Sequence, residues 1–591
     1  MCEAQMKHRL DALRVRLEAA EVDGFLVPRG DEHLGEYVPP SGERLAWISG
    51  FTGSAGMALV LRDRAVLFTD GRYTTQAASQ TDPASWEHRH LTEEPPAEWL
   101  KTHAPGARIG YDPWLHSEGG LKPFTEAGVT LVPLAANPLD AVWTDRPELP
   151  SAPLRAHGVE FAGEGAEAKR TRLARDLGAD AALLADSHSV AWLLNLRGGD
   201  LAHTPMALAF ALLDADGNAE LFLHAPQRVD AALRTHLGNG VSMADRAALP
   251  EALRRFAGKR IRVDADATPA RLLQLLREAG AELVLGDDPC RLPRACKNEV
   301  EQEGARAAQR KDAVALSRFL AWMAREAPKG GSTEVAAAAQ LLAFRKEVPG
   351  FAGESFPAIS GAGENGAIVH YRATPETDRP IRADECYLID SGGQYPEGTT
   401  DVTRTLWTGP GPAPEELRAR YTAVLRGHIA LATLRFPEGV AGPHIDAIAR
   451  RPLWDLGLDF DHGTGHGIGA FLSVHEGPVS ISRAAKPIPV RPGMILSDEP
   501  GFYLPGAYGI RIENLLLARE APRRPGQRKS FLEFETLTLA PYARALVVPA
   551  MLTEAERDWV DAYHARVLRE VGPALAEADR AWLEGECAKL G

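Results

Sequence analysis

Cysteine is scarce in this chain: five residues among 591, at positions 2, 290, 296, 386 and 587, an odd number without a C-x-x-C pair. That argues against a disulfide framework and fits a reducing compartment. Long apolar runs are missing too, and none approaches the ~18 residues of a membrane span. Residues 1–20 are charged throughout, carry Leu10, Leu13 and Leu17 at helical spacing, and lack the apolar centre of a signal peptide. Nor is there an excess of basic residues. Lys and Arg number 66 against 80 Asp and Glu, a formal charge of −14 with no basic stripe. Neither a nucleic-acid nor a membrane partner is expected, and the expected location is cytoplasmic. What is present, 45% hydrophobic and 25% charged residues, is the composition of an ordinary globular protein.

The length allows about three to five domains. Residues 1–150 read as α/β: a helix ending near Gly24, a strand at Phe25–Val27, a Trp47 segment with a Gly-rich turn, then strands around 57–61 and 65–69. Residues 151–290 repeat that plan. A strand at 181–185 precedes a Trp192 segment over 190–196 that suits helix or strand, and Gly198-Gly199 follows. Strands at 207–213 and 219–223 are then joined by hairpin chemistry at Asp214–Asn218. The proline-rich stretch 142–153 suits a linker. From residue 291 onward Asn298 and Glu301 form a capping signal for a long helix. Thr553 caps a helix with Trp559, Tyr563, Val567 and Val571 on one face, another is expected over 575–590, and the appendage 541–591 carries no chemistry of its own.

Between these helices lie two stretches that copy one another, Leu388 to Thr405 and Leu496 to Asn514. Gly393, Tyr395 and Gly398 align with Gly501, Tyr503 and Gly506 at a constant offset of 108. Each copy reads as strand, Gly-rich turn, strand, with acids on both strands: Asp390 and Asp401, then Glu499 and Glu513. His466 stands between the copies in His462–Gly469. A turn sets the two acids of a copy side by side, and copies that face each other gather four carboxylates in one cavity. Such a cluster repels itself and is costly to bury. Two divalent cations cancel that charge, and an oxygen-rich set with one imidazole suits Mn²⁺, Co²⁺ or Zn²⁺. Metals about 3.5–4 Å apart can share a water and direct it at a carbonyl. Singly, each acid is an ordinary turn former or surface ion-pair partner, as Glu513 beside Arg511 could be. Their order and duplication favour a dinuclear site. His370, in an apolar strand pattern over 367–371, and His462 and His475, flanking His466, are candidates to hydrogen-bond a scissile carbonyl or its oxyanion.

These stretches, with Ser355–Pro357, Asn365–Tyr371, Val474–Pro478, Phe51–Gly56 and Thr69–Tyr73, resemble the pita-bread metallopeptidases, and among them the long three-domain Xaa-Pro aminopeptidases (aminopeptidase P). The segment Ser360–Glu364 departs from that pattern. The resemblance implies two creatinase-like α/β domains (1–150 and 151–290) before a pita-bread catalytic domain (291–591) with pseudo-two-fold duplication. It implies two divalent metal ions per chain, Mn²⁺ first and Zn²⁺ or Co²⁺ as alternatives. Asp390 would bind one metal, His466 and Glu499 the other, and Asp401 and Glu513 both. Glu499 would shuttle the proton, His370 and His475 would contact the substrate at the scissile bond, and His462 would line the proline side. The implied reaction frees the N-terminal residue of peptides with proline second, and a homodimer is implied as in relatives. An Xaa-Pro dipeptidase (prolidase) and a non-catalytic peptide-binding protein of the same fold are the alternatives. Arg72 is a further candidate for substrate contact from the N-terminal half.

Overall fold

Glu3–Ala19 is a helix whose Leu10, Leu13 and Leu17 are buried with Phe25, Val60 and Leu67. The computed structural model describes residues 3–590, so Cys2 lies outside the described residues. The chain divides into two units, Met1–Val159 with Glu164–Arg291, and Glu160–Gly163 with Leu292–Gly591.

The first unit contains two six-stranded sheets. In space, one runs Glu87–His90, Ala65–Thr69, Met57–Leu61, Gly24–Pro28, Arg108–Tyr111, Thr130–Pro133. The other runs Val241–Asp245, Ala219–Leu223, Ala209–Asp214, Ala181–Leu184, Arg260–Val263, Glu282–Leu285. Numbered by chain order within each sheet, both read 4-3-2-1-5-6. In both, strands 1–2 and 2–3 are antiparallel, while 3–4, 1–5 and 5–6 are parallel. The tryptophan segments match too. Trp47 lies in helix Arg44–Ser49 and Trp192 in helix Ser187–Leu193, each between the first and second strands of its sheet. Asp186 caps the latter by accepting from His188 N–H, which settles its helical form.

The second unit repeats a larger plan. Helix Glu299–Glu326 opens on the expected capping box, Asn298 Oδ1 accepting from Glu301 N (3.1 Å) and Glu301 Oε2 from Asn298 N (3.0 Å). With helix Glu334–Lys346 it precedes a sheet ordered Ile359–Ala362, Cys386–Ser391, Val402–Trp407. Leu316, Phe319 and Leu341 pack there against Tyr387, Ile389 and Val402. Helices Glu415–Ala432 and Gly442–Trp454 precede the second copy in the same way, and Leu431, Ile445 and Ala449 pack against Val479, Leu496 and Leu516. Here the sheet has six strands, with Asn514–Glu520, Ile495–Asp498 and Gly465–Gly467 adjacent in it. The duplication thus spans two helices and their strands, not the motifs alone.

Each copy contains four strands where two are expected. In the first, Cys386–Ser391 pairs with Val402–Trp407, Asp390 opposite Thr403, while Gly393–Tyr395 and Gly398–Thr399 form a hairpin in a separate ladder. In the second, Ile495–Asp498 pairs with Asn514–Glu520, Asp498 opposite Asn514, around the hairpin Gly501–Leu504/Tyr508–Arg511. Only Asp390 lies within a strand. Asp401, Glu499 and Glu513 occupy the joints where the chain changes ladder. The copies meet edge to edge: Glu513 N–H donates to Thr403 O (3.2 Å) and Arg511 N–H to Thr405 Oγ1 (3.0 Å).

Residues 367–371 are not the expected strand. A 3₁₀ turn, Gly363–Ala367, is followed by a turn with Tyr371 N–H donating to Ile368 O (3.0 Å). The cause lies elsewhere in the chain. The buried Glu334 carboxylate accepts from Ala362 N (2.7 Å), Asn365 Nδ2 (3.0 Å) and Tyr371 Oη (2.8 Å), and so curls the segment. No helix among the described residues is long and apolar enough to cross a membrane.

Candidate metal centre

Asp401, His466 and Glu513 each offer one ligand atom, and these atoms lie within 4.8 Å of one another. His466 belongs to the short strand Gly465–Gly467, whose glycines let it lie close to its neighbours. A Cβ at Gly465 would stand 2.0 Å from Ser497 O, and one at Gly467 2.2 Å from Glu476 O. The imidazole Nδ1 is 3.1 Å from Gly467 O, an atom that only accepts, so Nδ1 carries the proton and Nε2 presents its lone pair. Nε2 lies 3.4 Å from Glu499 Oε1 and 3.6 Å from Asp401 Oδ2. Ser497 Oγ accepts from His466 N (2.9 Å) and donates to Glu499 Oε1 (3.1 Å), fixing the two relative to each other.

Asp390 and Glu513 each have one occupied and one spare oxygen. Asp390 Oδ2 accepts from Arg511 Nη2 (2.7 Å) and Glu513 Oε2 from Thr403 Oγ1 (2.7 Å). Asp390 Oδ1 and Glu513 Oε1 are buried without a hydrogen-bond partner. Burial first, then repulsion from Asp390 and Glu499, holds the Asp401 carboxyl well above the ordinary range. Burial followed by Asp401, Glu499 and Asp390 does the same to Glu513. Glu499 is lifted to about 7 by burial, against the opposing pull of Arg511. Buried oxygens without partners beside crowded carboxyls fit a site able to take up positive charge. The candidate donors, four carboxylates and one imidazole, fit hard-to-borderline divalent cations.

The histidines take distinct places. His475 stacks edge-on against His466, ring centroids 4.3 Å apart. His462 Nδ1 is 2.8 Å from Gly463 O, so Nε2 accepts from Tyr503 Oη (2.8 Å). Tyr503 Oη in turn accepts from Arg511 Nη1 (2.7 Å). His370 is half-buried, and the residue before it is tied to this network by Arg511 Nη1 donating to Val369 O (3.3 Å).

Arg511 is therefore not the surface partner of Glu513. It is buried and pairs with Asp390 of the other copy. Tyr503 and Ser497 also join the site without being singled out in the sequence. For Tyr503 a signal existed, since it is one of the duplicated positions; for Ser497 there was none. Arg72 forms a bidentate pair with Asp70 (3.0 and 2.7 Å).

All five candidate donors fall within residues 303–520, which match metallopeptidase family M24. A protein of Neosartorya fischeri described as "Probable Xaa-Pro aminopeptidase P" is 39% identical over 613 residues, covering 98% of this chain and 92% of its own. The chain belongs to metallopeptidase family M24. Residues 9–141 and 145–301 match creatinase/prolidase N-terminal domains, and 530–590 the C-terminal region of M24 peptidases. Aminopeptidase P2 of Arabidopsis thaliana is 37% identical, covering 95% of this chain and 85% of its own. An X-prolyl aminopeptidase of Caenorhabditis elegans, described as a cytosolic enzyme with a di-nuclear active site, superposes with a TM-score of 0.93 at 32% identity over 99% of both chains. The matched segments and this superposition fit the fold read above, two creatinase-type α/β parts and a duplicated pita-bread part.

Proposed function

We propose that this protein is a metal-dependent Xaa-Pro aminopeptidase that releases the N-terminal residue from peptides with proline second. One observation carries the chemistry: Asp401, His466 and Glu513 converge to within 4.8 Å, with Glu499 3.4 Å from the same imidazole. Full-length kinship with aminopeptidases P supports the substrate. Asp390 would hold one divalent cation, His466 and Glu499 the other, and Asp401 and Glu513 both; Mn²⁺ is our choice, with Zn²⁺ or Co²⁺ as alternatives. When bound, the cations polarise the scissile carbonyl and acidify the attacking water.

The remaining steps belong to side chains. Ser497 holds Glu499 Oε1 (3.1 Å) and so steadies the carboxylate that would take the proton of the attacking water and return it to the leaving proline nitrogen. His370 and His475 donate to the carbonyl oxygen as it gains charge. His462, its Nε2 fixed by Tyr503 Oη, lines the proline side. An Xaa-Pro bond has no N–H, so recognition rests on the ring and the free amino terminus.

We read three domains, 1–150, 151–290 and 291–591, supported by the matched segments and the two sheets. The cytoplasm is the proposed compartment, supported by free cysteines at 290, 296, 386 and 587. A homodimer is proposed as well. Trp454 and Leu456 are 41% and 48% exposed at the end of helix Gly442–Trp454, an apolar spot that a second copy could cover. The deciding assay compares Xaa-Pro-Yaa, Xaa-Ala-Yaa and Xaa-Pro peptides with and without Mn²⁺. Release from the first alone, lost with a chelator, is expected. Cleavage of dipeptides only would replace this reading with a prolidase.

A further inference from the structure

Arg404 follows Asp401 by three residues, lies in the strand Val402–Trp407, and is completely buried. Each of its nitrogens donates. Nε bonds Pro541 O (2.9 Å), and Nη1 bonds Thr403 O (2.8 Å) and Glu513 O (2.7 Å). Nη2 bonds Asn514 Oδ1 (2.8 Å), Ala540 O (2.8 Å) and Tyr563 Oη (3.2 Å). One planar cation thereby ties the strand after Asp401 to the backbone of Glu513 and to Tyr563 of the C-terminal helix Glu554–Val571. Tyr563 Oη is itself set by Ala540 N–H (3.1 Å).

The web continues beneath the second copy. Asn514 Nδ2 donates to His428 Nε2 (3.1 Å) and to Tyr542 Oη (3.0 Å). With Nε2 accepting, His428 Nδ1 carries the proton, and it lies 3.1 Å from both the carbonyl oxygen and Oδ2 of Asp498. Asp498 precedes Glu499 and stands 108 positions after Asp390, its counterpart in the first copy. In the second copy the anchor point is the backbone carbonyl of this aspartate, one residue before Glu499. Donors run one way, Arg404 to Asn514 to His428 to Asp498, a direction in which successive hydrogen bonds reinforce one another.

We propose that Arg404, Asn514, His428 and Tyr563 are positioning residues that set the spacing of Asp401, Glu499 and Glu513, making the C-terminal helix part of the metal-centre machinery. This rests on the dinuclear reading above. A guanidinium with planar, fixed donors can hold three backbone segments in register, which a lysine ammonium does not reproduce. Groups behind metal ligands typically change metal affinity or activity by about 10–100-fold.

The test uses the full chain as wild type, Arg404→Lys and Tyr563→Phe. The second removes one oxygen and guards against a variant that fails to fold. Co²⁺ binding is followed by calorimetry and by the visible spectrum of the bound ion, beside kcat and KM for a Xaa-Pro-Yaa peptide. Expected for Arg404→Lys are a Co²⁺ affinity weakened about 10–100-fold, an altered spectrum, and a fall in kcat with KM within about twofold. Tyr563→Phe is expected to shift the same readouts in the same direction by a smaller factor and, because it leaves the buried Ala540 N–H unpaired, to lower the metal-free unfolding midpoint without preventing folding. Unaltered Co²⁺ affinity and spectrum in both folded variants overturn the proposal. A wild type that binds Co²⁺ but cleaves no Xaa-Pro peptide overturns the peptidase reading instead, and the affinity and spectral comparison still decides the role of the web.

Discussion

Asp401 and Glu513 differ from the other donors in what their loss removes. Each is assigned to both cations, so truncation takes away the shared ligand and leaves the neighbouring carboxylates facing one another. Asp401→Ala or Glu513→Ala is expected to lower kcat by about a thousandfold or more, several kcal/mol of lost stabilisation, with metal content measured alongside. Near-normal turnover in a metal-loaded variant would refute the assignment. His370 carries less. It lies in a turn that is held to Arg511 through Val369 O (3.3 Å), and His370→Ala is expected to cost about 10²-fold in kcat. Arg511 shows where reading single residues fails. Beside Glu513 in sequence it suggests a surface pair, yet its partner Asp390 lies 121 positions away at 2.7 Å. Only the meeting of the two copies makes that contact, and no local pattern encodes it.

At the level of elements, what was legible had local causes. The capping boxes at Asn298 and Thr553 start helices because the cap and its glutamate are three residues apart. The duplicated glycines and tyrosines revealed the repeat, although not that each copy folds into nested pairs of strands with acids at the joints. The segment 367–371 reads as a strand because its pattern is apolar, while the Glu334 carboxylate that bends it lies on the helix Glu334–Lys346. Sequence alone gives the helix Glu554–Val571 no chemistry, and the contact that would link it to the site joins Tyr563 to Arg404, 159 positions away. Two measurements belong here. Thr553→Ala should cost about 1 kcal/mol of stability, the usual worth of such a cap, with kcat unchanged. His564, on the same helix, accepts from Tyr542 N–H (3.1 Å) through Nε2, and burial followed by Arg404 lowers its pKa to about 4. Its contribution is complete above the unfolded value of about 6.5 and is lost as the pH falls towards 4. The stability gap between wild type and His564→Gln should therefore narrow from pH 7 to pH 5, and a constant gap would exclude this assignment.

For the whole molecule, all five proposed donors lie in the second unit, so cation binding would bear on that unit's unfolding. The sign of its pH dependence follows from the carboxyls. An acid whose folded pKa exceeds its unfolded value stabilises the fold at low pH and loses that contribution as the pH rises through the folded value. Glu499 sits at about 7 against an ordinary 4.5, and Asp401 and Glu513 are held higher than their ordinary values. Metal-free protein should consequently lose stability between about pH 5 and pH 8 as these groups are forced to ionise against one another. Bound divalent cations compensate the same charges, and a ligand at about 100 times its Kd adds about 2.7 kcal/mol. Buried neutral histidines such as His116 and His157 contribute equally to both forms, so the difference between metal-free and Mn²⁺-loaded protein isolates the site. Unfolding midpoints across that range should diverge with rising pH, the loaded form gaining on the metal-free one. Parallel curves would mean that the carboxylates are not held together by cations, and the dinuclear reading would fall with them.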